Sequence, residues 1–104
     1  MIDYNHPFIM EMRKSYNISR DFFIKADEVT RSKGYRNSEL EDLFLTSAFM
    51  LMSTDLEIRN LLDKIDSSCL SEKDKIDYIC YFDGYLDIVR KTNKDVLDKA
   101  KFYS

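Results

Sequence analysis

The thiols and the single imidazole are the side chains that could perform nucleophilic or metal chemistry. Cys69 and Cys80 lie eleven positions apart with no second cysteine pair, and His6 is the only histidine. A catalytic thiolate needs a neighbouring base, and a structural zinc site needs four ligands, so one distant histidine supports neither. We therefore expect no metal and no cofactor, and we interpret the cysteines as a reduced structural pair of an intracellular protein.

Carboxylates are the second group that could do chemistry. Four aspartates lie within residues 74–87: Asp74, Asp77, Asp83 and Asp87. Clustered carboxylates can bind a divalent cation or act in acid–base catalysis, but at helical spacing they usually form a solvated face. Gly34 and Gly84 are too far apart to form a phosphate-binding loop. We expect a protein that is not an enzyme.

The composition limits the number of domains and the kinds of partner. The chain has 104 residues and a mass of 12.4 kDa, which predicts one domain over residues 1–104. A net charge of −3 disfavours direct binding to nucleic acid or to an anionic membrane. We find no apolar run near the roughly 20 residues of a membrane span and no secretory signal, so we expect a cytoplasmic protein.

Turn-forming residues are scarce, and this predicts an all-α fold. The chain has two glycines and one proline, against about 12 in an average chain of this length. Apolar side chains recur at intervals of three and four over residues 7–33, 38–66 and 71–103. Short loops between long helices favour antiparallel neighbours, so we predict an up-down-up bundle of three long helices. Cap-forming residues at 17–19 or 53–55 could break a segment and make four helices.

Several polar residues predict where the helices begin and end. Asn5 is the expected N-cap of the first helix. Ser38 with Glu41 three positions later is typical of a capping box and should open the second helix, and Ser71 should open the third. Gly34 supplies the residue that commonly ends a helix.

Apolar side chains exceed what one core side of each helix requires. The core side of the second segment is predicted at eight positions: Leu40, Phe44, Ser47, Leu51, Thr54, Ile58, Leu61 and Ile65. A second set in that segment, the apolar stripe, consists of Leu45, Phe49, Met52 and Leu56. The third segment carries the tyrosine row, which consists of Tyr78, Tyr81 and Tyr85. Either a four-helix bundle encloses these residues, or one set forms an interface with another polypeptide.

Two functional hypotheses follow from this excess of apolar side chains. In the first, the protein is a small inhibitor such as an immunity protein, antitoxin or phage inhibitor that binds a basic toxin or nuclease. The four aspartates would then steer the encounter and the tyrosine row would anchor the partner. In the second, the protein is a homo-oligomeric regulatory module or chaperone, and the apolar stripe packs against a second copy in a homodimer.

Overall fold

The computed structural model describes residues 2–104, which form three long helices connected by two short loops. These are α1 (Pro7–Val29), α2 (Asn37–Asp66) and α3 (Glu72–Phe102). Helices α1 and α3 both pack on α2, which lies between them and runs in the opposite direction. The predicted all-α, up-down-up bundle of three helices is confirmed. Neither suggested break occurs, because α1 continues through residues 17–19 and α2 through residues 53–55.

The helix ends follow the predictions only in part. Ser71 caps α3, since its hydroxyl accepts a hydrogen bond from the backbone N–H of Asp74 at 3.2 Å. The cap of α1 is His6 rather than Asn5, and its Nδ1 accepts from the N–H of Phe8 at 3.1 Å. The capping box at Ser38 is wrong, because α2 already begins at Asn37 and its N-cap, Arg36, makes no side-chain cap bond.

The first helix also ends before residue 33, where the apolar period of the first segment ends. It stops at Val29, where the hydroxyl of Thr30 donates to the carbonyl oxygen of Asp27 at 2.6 Å. Gly34, which was predicted to end this helix, lies five residues later in the loop and has a φ of 99°. A left-handed glycine there lets the chain reverse direction between α1 and α2 without the steric cost of a side chain.

The core is built on α2. All eight positions predicted for its core side are buried, and none of them exceeds 7% exposure. The residues that α1 and α3 add to this core are mainly apolar: Ile9, Met12, Ala26, Tyr78, Phe82, Leu86, Val89, Val96 and Ala100. Helix α2 therefore packs on one side against both neighbours, and its opposite side is left to solvent.

A small group of hydroxyls explains why the helices do not break. The hydroxyls of Ser19 and Thr54 lie 2.6 Å apart, and Ser15 lies 3.1 Å from Thr54. Ser19 also donates to the carbonyl oxygen of Met50 at 3.0 Å. These side chains could have capped separate helices, but here they satisfy one another across the α1–α2 contact. The helices remain continuous because their polar groups are already hydrogen-bonded in the core.

The bundle is long and thin. Its principal extents are 54 × 21 × 15 Å and its radius of gyration is 16.3 Å, whereas a compact chain of this length has about 13 Å. Its accessible surface of 6915 Å² exceeds the roughly 6100 Å² typical of this mass. Three helices side by side cannot enclose one another, so large apolar side chains remain outside the core.

Candidate protein-binding surface

The apolar stripe of α2 lies on the solvent side of the bundle. The exposed fractions of Leu45, Phe49, Met52 and Leu56 are 37%, 68%, 53% and 52%. The neighbouring core residue Leu51 is 1% exposed. Steps of four, three and four residues keep the stripe on one face over three helical turns, about 16 Å in length. A central helix of a three-helix bundle thus presents apolar side chains both to the core and to water.

Helix α3 contributes the edge of this surface. Leu97, which is 43% exposed, lines a shallow groove together with Leu45 and Glu41 of α2. Further along, Met52 lines a second depression with Arg59 and Arg90. The surface therefore continues from α2 onto α3, and charged side chains border it at both ends.

An ion-pair network lies beside Met52. The Asp55 carboxylate accepts from Nε of Arg59 at 2.8 Å and from Nε of Arg90 at 2.9 Å. The hydrogen bond to Asp55 raises the pKa of Arg90 above its usual value. At this edge of the stripe one carboxylate lies between two guanidinium groups, and the charges of Asp83 and Asp87 also act on Arg90. At the other end, the groove contains the carboxylate of Glu41 and the ammonium group of Lys101.

The tyrosine row is placed differently from the expectation. Tyr78 is only 2% exposed and belongs to the core. Its hydroxyl accepts a hydrogen bond from the backbone N–H of Asp3 at 3.1 Å, and its ring lies 5.3 Å from that of His6. Tyr78 is therefore inaccessible to a partner in this structure, because the segment before α1 covers it.

The other two tyrosines fill the gap between α1 and α3. Tyr81 and Tyr85 are half-buried, with ring centres 5.2 Å apart. Tyr85 packs edge-on against Tyr16 of α1 at 5.0 Å, and Tyr81 packs against Tyr4 at 5.7 Å. Burial raises the pKa of Tyr81 to about 12, with a smaller effect of the adjacent Tyr85. Their contacts are mainly internal, so they join α1 to α3.

The four aspartates do not all lie on the face of α3 that carries these tyrosines. Asp74 and Asp83 are nine residues apart on α3, which places them on opposite sides of the helix. Asp87 lies near Asp83 in the helical projection and pairs with Lys91 at 3.2 Å. Only Asp74 and Asp77 lie on the side of Tyr81 and Tyr85. Helix geometry therefore separates Asp83 and Asp87 from the tyrosine row.

The residues that could do chemistry are also dispersed. Cys69 and Cys80 are free and exposed, and His6 serves as a helix cap. Within residues 2–104 no three His, Cys, Asp or Glu side chains come together as a possible metal site. In the same range, none of the helices has the length and apolar character needed to cross a membrane.

Some residues that matter here were missed by sequence reasoning. Leu97, Glu41 and Arg59 border the apolar stripe, and none of them was predicted to do so. Glu41 and Arg59 could have been found, because they are eighteen residues apart, which is five full helical turns. Leu97 gave no such signal, since its place beside Leu45 depends on how α3 packs on α2.

Comparison of the chain with protein-family models, with curated proteins and with solved structures found no match.

Proposed function

We propose that this protein is a non-enzymatic binding module that acts by packing the apolar stripe of α2 against another polypeptide. One observation carries the proposal: four large apolar side chains lie in a row on the solvent side of the central helix, with Phe49 68% exposed. Burial of apolar surface is the dominant favourable contribution to most protein–protein association. Contiguous exposed apolar patches are typical of protein–protein contacts.

The composition of the surface supports the same proposal. Phenylalanine and methionine are enriched in interface cores, and arginine is a frequent contributor to binding energy. Phe49 and Met52 occupy the centre of the stripe, whereas Arg59 and Arg90 lie at its edge. An apolar centre with a charged rim is the usual arrangement of such a site.

The inhibitor hypothesis takes a modified form under this proposal. Tyr78 is internal, and Tyr81 and Tyr85 are engaged with α1, so the tyrosine row offers little area to a toxin or nuclease. An inhibitor of this fold would instead use the apolar stripe. An inhibitor and a self-associating module would therefore use the same surface. They would differ in the partner bound there, which is a different protein for the inhibitor and a second copy of this chain for the module.

Photo-cross-linking in the cells that naturally make the protein tests the proposal. A photoreactive phenylalanine analogue replaces Phe49 in one variant and Ile24 in a control, because Ile24 is exposed on α1 away from the stripe. We expect a discrete protein adduct from position 49 and none from position 24. The adduct should disappear when Met52→Glu is added. Equal or absent labelling at the two positions would overturn the proposal.

A further inference from the structure

The geometry points to a second copy of this chain as the occupant of the apolar stripe, with the two α2 helices packed antiparallel about a two-fold axis. This inference rests on the proposed function and names its partner. Three features of α2 carry it: the symmetry of the stripe, the charges at its two ends and the length of helix available.

The spacing of the stripe reads the same in both directions. Leucines stand at its two ends, Phe49 and Met52 stand inside, and the intervals are four, three and four residues. A two-fold axis at the midpoint, between residues 50 and 51, places Leu45 opposite Leu56 of the second copy. The same axis places Phe49 opposite Met52, a contact of thioether and aromatic ring that is favourable in proteins. Two-fold dimers need a self-complementary surface of this kind.

The charges at the ends of the stripe select the antiparallel arrangement. Glu41 lies in the groove beside Leu45, and Arg59 lies beside Met52. The two residues are five full turns apart and so lie on the same flank of α2. The two-fold axis then brings Glu41 of each copy to Arg59 of the other, which makes two ion pairs. A parallel two-fold arrangement would instead put Glu41 of the two copies at the same level but on opposite flanks, so neither ion pair would form.

The size of the contact sets the expected strength. Stable dimers bury about 800 Å² on each partner. Three helical turns of α2 supply only part of that area, and Leu97 and Arg90 of α3 extend it. We therefore expect a reversible dimer with a dissociation constant in the micromolar range, roughly 8 kcal/mol of binding free energy.

Sedimentation equilibrium on the purified full chain, up to about 100 µM, measures the association directly. We expect a monomer–dimer equilibrium, and Phe49→Glu should raise the dissociation constant about 100-fold because a charge replaces a central apolar contact. The control is Phe102→Glu, since Phe102 is 79% exposed near the end of α3 and outside the stripe. It should leave the dissociation constant unchanged. Thermal unfolding of each variant verifies that the fold is retained.

Disulfide trapping determines the orientation. In a background of Cys69→Ser and Cys80→Ser, single variants Leu45→Cys and Leu56→Cys are prepared and mixed. The antiparallel dimer predicts a cross-link between the two different variants and little cross-linking of either one with itself. A parallel dimer predicts the reverse, because Leu45 and Leu56 are about 16 Å apart along the helix.

Exchange of the end charges tests the ion pairs. Glu41→Arg alone and Arg59→Glu alone should each weaken the dimer about tenfold, and the double variant should recover most of that loss. Arg59→Glu also removes the ion pair between Arg59 and Asp55. The ion pair between Arg90 and Asp55 remains.

The possible results separate this inference from the proposed function. A chain that stays monomeric at about 100 µM overturns the dimer, as does a self-cross-link of Leu45→Cys. The proposed function survives a monomer if the adduct at position 49 in cells contains a different polypeptide. It fails together with the dimer only if that adduct is absent as well.

Discussion

The ammonium nitrogen of Lys99 lies 2.6 Å from Oδ1 of Asp27 and so connects the C-terminal ends of α3 and α1. The same ammonium lies 5.1 Å from the centre of the Phe23 ring and 5.7 Å from that of Phe44. One cation therefore contacts side chains of α1 and α2 as well as its own helix. This cluster holds together the two outer helices, whose backbones scarcely approach each other.

Removal of the Asp27–Lys99 pair should destabilise the bundle in a pH-dependent way. The hydrogen bond from Lys99 lowers the pKa of Asp27 in the folded protein. The pair thus contributes stability above the ordinary carboxyl pKa of about 3.9, and this contribution is lost as the pH falls through the lowered value. Asp27→Asn should cost up to about 1 kcal/mol at neutral pH and less at about pH 3. Urea unfolding at both pH values measures the difference.

Asp21→Asn is the matched control for Asp27→Asn. Among residues 2–104, Asp21 pairs only with the adjacent Arg20 on the exposed side of α1, at 3.3 Å. Its replacement should leave the free energy of unfolding unchanged at both pH values. A loss of equal size in the two variants would contradict a specific role for Lys99.

Glu57 should destabilise the folded protein at neutral pH. A hydrogen bond with Glu11 raises the pKa of Glu57, and burial and the Glu11 charge act in the same direction. A raised pKa in the folded state means stability that is present at acidic pH and lost as the pH rises through that value. Glu57→Gln should therefore raise the free energy of unfolding at pH 7 by a few tenths of a kcal/mol. Chemical unfolding at pH 4 and pH 7 should show a gain confined to the higher pH.

Loss of the hydroxyl at Thr54 should lower the free energy of unfolding more than the same loss at an exposed threonine of this helix. Thr54→Val removes hydrogen bonds to Ser15 and Ser19 inside the core, and we expect a cost of about 1–2 kcal/mol. Thr46→Val is the control, because Thr46 is exposed and its hydroxyl donates to the Asp42 carbonyl of its own helix. Thermal unfolding compares the two. Equal effects would show that the core hydroxyls add no stability.

Tyr78 should behave as a core residue and not as an exposed anchor. Tyr78→Ala should cost about 3 kcal/mol or more, because it leaves a cavity beneath the segment before α1. Tyr78→Phe should cost about 1 kcal/mol through loss of the bond from Asp3. Tyr35→Ala, in the exposed loop between α1 and α2, should be nearly neutral. A stable, fully folded Tyr78→Ala protein would contradict this assignment.

The sequence alone determined the three helical segments and the core side of α2. The eight core positions of α2, from Leu40 to Ile65, followed from periodicity because a helix places residues three and four apart on one face. The cap at Ser71 followed from local hydrogen bonding. Local patterns predicted less accurately where a hydrogen-bond partner is distant in sequence. Ser19 and Thr54 are residue types that cap helices, but here their hydroxyls bond to each other across the core.

Only the tertiary structure decided which of the two additional stripes faces water. Phe49 and Tyr78 both belong to apolar sets beside a predicted core. The helical period alone therefore predicts the same exposure for both. Tyr78 is covered by the segment before α1, whereas nothing in residues 2–104 covers Phe49. Periodicity describes directions around one helix axis. Burial also depends on how many other segments lie in each direction, and that is known only when the helices are packed.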